Sequence, residues 1–187
     1  MDPVFKTNYR ASLLSSSSWT KKADALLDSA RLLEPEVAAI WESLREWQAT
    51  KDRRELKSDE ILSVYLMLVA FAVENLLKAE LVRKFYSEFR QMFDSSGKLP
   101  ALLKTHDLFV LATQANLSME PRDEDLLRRL TRSAIWAGRY PIPIDFSGMV
   151  GGEKFSDGKI WSTSYLGGND VDRLRTLVDK IRLEFNL

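Results

Sequence analysis

His106 is the chain's single histidine, and it stands directly before Asp107. An imidazole titrates near neutrality and could pass a proton in partnership with a carboxylate. Adjacent residues on a helix point in different directions, however. The plainer reading makes His106 a helix-start residue whose ring bonds a neighbouring helix, with Asp107 aiding the cap. Glu74 and Lys78 lie one helical turn apart in the favourable acid-before-base order, worth about 0.2–0.5 kcal/mol on an exposed helix. Glu74 shares a face with Met67, Ala70 and Phe71, so partial burial is expected, with Arg139 as an attractive cation partner. Arg128, Arg132 and Arg139 are spaced by four and seven. On a continuous helix they would align into a stripe able to grip phosphates, with Tyr140 as a stacking surface. The plainer alternative is a solvated face paired with Asp123, Glu124 and Asp125, Arg128 lying four residues after Glu124. Arg139-Tyr140-Pro141 reads as an anion site, or as a helix end in which Arg139 caps carbonyls.

Other chemistries are excluded by composition. The chain has no cysteine, which removes disulfides, thiolate metal sites and thiol nucleophiles. One histidine cannot build a His-rich metal cluster, and Ser147 to Gly152 (SGMVGG) lacks the Gly-Lys-Ser/Thr of a phosphate loop. No metal and no cofactor is therefore expected. The 27 basic and 27 acidic residues cancel, so any attraction to nucleic acid must be local. The start of the chain shows no basic-then-apolar signal pattern, and Val64 to Val73 is half the roughly 20 apolar residues that span a bilayer. The expectation is a cytoplasmic protein with no membrane partner.

The elements that must position these residues read as helices. The chain's 187 residues, 45% of them hydrophobic, suit one domain. Residues 1–17 are polar and include the run Ser15 to Ser18, which predicts a flexible tail, with Ser18 capping the first helix. Apolar residues then recur at three and four through Leu33, Pro35 interrupts, and the pattern resumes from Val37 to Trp47. Lys51 to Lys57 reads as a solvated connection. From Ser58 a helix apolar on every side runs through Ile61 to Val73, as expected of the middle of a bundle. Continued to Asp94 it would be about 50 Å long, which predicts a kink or an earlier end. Thr105 or His106 bounds the next helix. Pro121 opens another, with acids in its first turn and arginines further on.

Residues 140–168 differ in kind. They hold six of the eight glycines, and Asp157-Gly158 predicts a two-residue hairpin turn. A closing helix follows, capped by Asn169. The expectation is an all-α bundle of four to five helices with a Gly-rich insertion and a short β-hairpin before the last helix. It places a flexible tail at 1–17 and one helical domain at 18–187, with a core at about 60–142 and a closing helix at 169–186.

Three patterns in this order resemble the HEPN superfamily of helical, often dimeric domains. They are Phe71 to Ala79 (FAVENLLKA) at the end of the buried helix, Lys104-Thr105-His106-Asp107-Leu108, and Trp136 to Pro141 (WAGRYP). The resemblance covers roughly residues 60–142. It implies RNA or nucleotide chemistry in bacterial defence, toxin–antitoxin or RNA-processing systems, and a homodimer. The ribonuclease signature of that family, Arg followed after four to six residues by His, is absent: Leu99, Pro100 and Ala101 hold the places before His106. The resemblance therefore implies a non-catalytic module that binds RNA, a nucleotide or a protein partner through Arg128, Arg132, Arg139 and Tyr140. The alternatives are a metal-independent ribonuclease using Arg139 and Tyr140 with Glu74, His106 or Asp145, and a structural interaction scaffold.

Overall fold

The structure, a computed structural model, describes residues 3–51, 58, 60–140, 153–154, 160–161 and 170–187. It is all-α. The described residues form α1 (Pro3–Leu13), α2 (Ser16–Arg31), α3 (Glu34–Thr50), α4 (Glu60–Lys84), α5 (Tyr86–Ser96), α6 (Leu108–Ala115), α7 (Pro121–Arg132) and α8 (Asp170–Phe185). A single 3₁₀ turn, Ala101–Lys104, precedes α6, and a π-turn, Ser133–Ala137, extends α7. The pairs Glu153–Lys154 and Ile160–Trp161 run antiparallel, with Glu153 opposite Trp161 and Lys154 opposite Ile160. The Asp157-Gly158 turn and the Asn169 cap lie outside the described residues.

α4 is the axis of the bundle and packs against α2, α3, α5, α6, α7 and α8. Its apolar residues lie on all sides, and 13 of its 25 residues are buried, from Tyr65 to Val82, while Glu60, Ile61, Val64, Arg83 and Lys84 at its ends stay exposed. One core cluster draws on it together with Leu27 and Ala30 of α2, Leu108 and Leu111 of α6, Leu127 and Leu130 of α7, and Leu174 and Ile181 of α8. By length and composition α4 could cross a membrane, unlike the ten-residue run read from the sequence. A mostly buried core helix meets the same criterion, and the paired charges Glu74, Lys78 and Glu80 lie buried within this one.

Three helix boundaries depart from expectation. Residues 3–13 are helical rather than a tail, and Leu13 and Leu14 at its end are buried in the core. The ring of Tyr9 stacks on Phe93 at 5.5 Å between centroids, and Arg10 pairs with Asp94 at 3.0 Å. The cap of α2 is Ser15, whose hydroxyl accepts from the amide of Ser18, so the run of serines offered several cap positions and the earliest is used. The long central helix ends at Lys84, and Phe85 separates it from α5, which Gly97 closes at φ 65° in the left-handed region. These breaks raise the expected four to five helices to eight among the described residues.

α8 is held to the bundle by charge as well as by its apolar face. Lys180 pairs with Asp123 at 2.6 Å, Arg182 with Asp24, and Arg175 with Glu34 at 2.6 Å. Asp170, buried at its start, receives Arg129 of α7 at 3.1 Å.

Candidate functional site

The site is laid out along one stripe of α4. Met67, Phe71, Glu74 and Lys78 are spaced by four, three and four, which stacks them on one face. Each meets a different part of the chain. Met67 lies against Gly138, Phe71 under the guanidinium of Arg139, Glu74 against His106, and Lys78 beside the indole of Trp19 on α2.

Glu74 is buried, with 7% of its side chain exposed, and both carboxylate oxygens are used. Oε1 accepts from Lys78 Nζ at 2.6 Å. Oε2 lies 2.9 Å from His106 Nδ1. A carboxylate can only accept, so Nδ1 carries the proton in this contact. That leaves Nε2 as the outward nitrogen, with no hydrogen-bond partner among the described residues, on a side chain 47% exposed. Lys78 is more deeply buried, its ammonium 5.9 Å from the Trp19 ring centroid, and it offsets the charge of the carboxylate. The result is an imidazole at the surface, oriented from below by a buried, neutralised acid.

The local sequence fixes His106 in place. Asp107 is the N-cap of α6 and accepts from the amide of Val110 at 3.0 Å. Thr105 Oγ1 accepts from the amide of Asp107, and the amide of Leu108 donates to Thr131 Oγ1 on α7 at 3.0 Å. Bonds before and after His106 thus leave its backbone little freedom.

Arg139 follows the π-turn. Its guanidinium lies 4.7 Å above the Phe71 ring centroid and donates to the carbonyl of Ala134 at 2.8 Å. The π-turn closes with bonds five residues apart, so it winds less per residue than an α-helix. Arg139 consequently leaves the face that α-helical arithmetic assigns to it. Gly138 makes this approach to α4 feasible: a Cβ there would stand 2.3 Å from Met67 Cβ. The glycine is therefore needed for packing. Tyr140, 53% exposed, lies at the end of this corner.

Arg128 is exposed, and its guanidinium lies 3.7 Å from the centroid of Phe109, one turn into α6 from His106. Two arginine-on-aromatic contacts thus involve residues close in the chain to the Glu74–His106 pair: Phe71, three residues before Glu74, and Phe109, three after His106. Among the described residues neither guanidinium has a carboxylate partner.

Several expected pairings are not made. Glu74 pairs with Lys78 and His106 instead of Arg139, because those two groups occupy both its oxygens. Arg128 rests on Phe109 rather than pairing with Glu124. Arg132 does not join an exposed stripe: it is half-buried, and one of its guanidinium nitrogens is inside the protein. Asp145 lies outside the described residues. The structure thus brings together Glu74, His106 and Arg139, with Arg128 and Tyr140 at the margins. Phe71 and Phe109 were missed as platforms. Phe71 carried a signal, since it precedes Glu74 by three; Phe109 carried none, because its partner lies on another helix.

Among the described residues no group of three or more His, Asp or Glu is arranged to hold a metal ion. Among the described residues, the surface thus presents a partly exposed imidazole together with two exposed guanidiniums, each resting on a ring and without a carboxylate partner. Compared with protein-family models, curated proteins and solved structures, the chain matches none.

Proposed function

We propose that the surface around His106 binds RNA or a nucleotide, with Arg139 and Arg128 on phosphate and Tyr140 stacking on a base. The observation that carries this reading is the pair of exposed guanidiniums on Phe109 and Phe71, unneutralised by any described carboxylate. A guanidinium fixed on a ring has already lost side-chain freedom and keeps its outward N–H groups for an anion. Aromatic surface beside cations is the composition that single-stranded nucleic acid exploits. The order of the three motifs, which converge on this corner, also supports a HEPN-like relationship and with it a cytoplasmic homodimer.

The test is binding of a fluorescent oligouridylate, and of adenosine monophosphate, over a salt series, with light scattering for the oligomeric state. Removing one arginine from phosphate should flatten the salt slope by about one. Arg139→Ala and Arg128→Ala should both weaken binding while leaving the circular dichroism unchanged. Equal binding by wild type and both variants, or none by any, would overturn the reading and favour a partner-docking scaffold.

The Glu74–His106 contact favours a second reading, metal-independent phosphodiester cleavage. His106 Nε2 would take the proton of a ribose 2′-OH, whose oxygen attacks the phosphorus. The 5′-oxygen would leave with a proton from water, giving a 2′,3′-cyclic phosphate. RNA cleavage abolished in His106→Gln, with binding retained, is its expected signature. Cleavage that survives in His106→Gln excludes it.

A further inference from the structure

The ring of His106, the chain's single histidine, is held through one nitrogen only. Nδ1 lies 2.9 Å from Glu74 Oε2, while Glu74 Oε1 accepts from Lys78 Nζ at 2.6 Å. The contact fixes the neutral ring with its hydrogen on Nδ1 and its lone pair on Nε2. Nε2 has no hydrogen-bond partner among the described residues, and 47% of the side chain is exposed. The neighbouring carboxylate of Asp107 is taken up at the α6 cap by the amide of Val110. The amides of Asp107 and Leu108, next along the chain, are bonded to Thr105 and Thr131. A free histidine shares its lone pair between two tautomers; this one presents a single nitrogen outward from a fixed backbone.

An imidazole held in this way is a nucleophile as well as a base. When Nε2 forms a bond the ring gains a positive charge, and a carboxylate already on the Nδ1 hydrogen stabilises that charge, as it does for the imidazolium of hydrolytic triads. Glu74 is buried, so little water screens the interaction. Lys78 offsets part of the charge and leaves Oε2 to the ring. What these contacts do not supply is an acid, because the carboxylates of Glu74 and Asp107 both accept. An electrophile suited to this nitrogen must therefore carry a leaving group that departs without a proton from the protein.

We infer that His106 Nε2 is a phosphoryl acceptor, modified by donors of the phosphoramidate class, in which phosphorus is bound to an already protonated nitrogen. The Nε2 lone pair forms the new N–P bond as the donor's N–P bond breaks, and that electron pair leaves with the donor nitrogen as neutral ammonia. The phosphoryl group keeps its two negative charges, the imidazole becomes a cation, and Nδ1 keeps its hydrogen toward Glu74. One nitrogen–phosphorus bond replaces another, so the exchange is close to balanced and the group can be passed on. Glu74 is a positioning residue in this step, since it touches the ring and not the donor. The assignment stands on this geometry and not on the binding of RNA or a nucleotide.

The test adds phosphoramidate to the full chain with N-acetylhistidine methylamide in the same tube, and follows both imidazoles by ³¹P NMR. His106 should take one phosphoryl group, on Nε2, at least about tenfold faster than the free imidazole, a small share of what the carboxylate contributes in a hydrolytic triad. His106→Gln should take none. The double variant Glu74→Gln with Lys78→Met, which removes both buried charges together, should fall to the rate of the free imidazole. If circular dichroism shows that this variant does not fold, the wild-type rate and the nitrogen modified still decide. No adduct, an adduct on Nδ1, a rate no greater than that of the free imidazole, or an unchanged rate in the folded double variant would each overturn the assignment. Rapid Nε2 phosphorylation of a protein that binds no oligouridylate would support it and leave the RNA reading to fall alone.

Discussion

Removing Lys78 should expose how the site is held. The Lys78 and Glu74 side chains are 3% and 7% exposed and 2.6 Å apart, so both charges have left water. Their attraction, about 4 kcal/mol for unit charges 4 Å apart at an effective dielectric near 20, competes with a desolvation penalty of several kcal/mol per ion. The pair itself is thus close to neutral for stability, but either partner left alone is not. Lys78→Met keeps the length and apolar bulk of the side chain and strands the carboxylate. Breaking a buried pair this way costs roughly 3–5 kcal/mol. The value should fall near the lower end, because His106 remains 2.9 Å from the other oxygen and is partly exposed. The Trp19 contact contributes about 0.5–1 kcal/mol more. Glu74→Gln should cost a similar amount by stranding the ammonium. The double variant should return to within about 1 kcal/mol of wild type, since both desolvated charges are then gone. Urea unfolding followed by circular dichroism measures this: with m about 2 kcal/mol/M, a loss of about 3 kcal/mol moves the midpoint by about 1.5 M. A single-variant cost below about 1 kcal/mol, or a double variant as unstable as the two singles summed, would refute the reasoning. The pair would then be solvated and its members independent.

Gly138→Ala should cost about 1–3 kcal/mol by overpacking, and Met67→Ala should not rescue it, because the close contact is to Met67 Cβ itself; thermal unfolding of the two singles and the double reads both effects. Burial, followed by the negative charge of Glu34, pushes the Tyr65 hydroxyl from 10.0 up to about 12. The folded value lies above the unfolded one, so this contribution is intact below about pH 10 and is lost as pH rises toward about 12, at up to roughly 1.4 kcal/mol per pH unit. Tyr65→Phe should flatten that alkaline slope in urea titrations, and phenolate absorbance should show one late-ionising tyrosine fewer. Asp107→Ala should cost about 1 kcal/mol through loss of the α6 N-cap, and it should also broaden the ring resonances of His106, whose backbone the cap helps to hold.

Periodicity made the helical class legible. α2, α3, α7 and α8 each carry apolar residues at three and four, and a helix apolar on every side, as α4 is, can only be central. Pro35 and Pro121 marked ends that the structure uses, because proline acts through its own backbone geometry and needs no tertiary partner. The 1–17 segment was misread for the complementary reason: α1 is weakly apolar, and Leu13 and Leu14 have meaning only once a core exists to receive them. The Glu74–Lys78 spacing was plain from the chain, but its burial was not, since it depends on α2, α6 and α7 closing over α4. His106 reaching a neighbouring helix followed from its place at a helix start; that the receiving group is Glu74, 32 residues earlier, is a fact of packing.

The linear chain thus determined which residues could do chemistry and which segments coil, because both follow from side-chain type and local spacing. The folded protein alone decided which of them meet. The π-turn after α7 set Arg139 on Phe71, and Gly138 allowed the approach. Tyr65 shows the limit most sharply: inside an apolar run it reads as one more core residue, and only the packing of α3 and α8 against α4 brings the charges of Glu34 and Arg175 to bear on its hydroxyl.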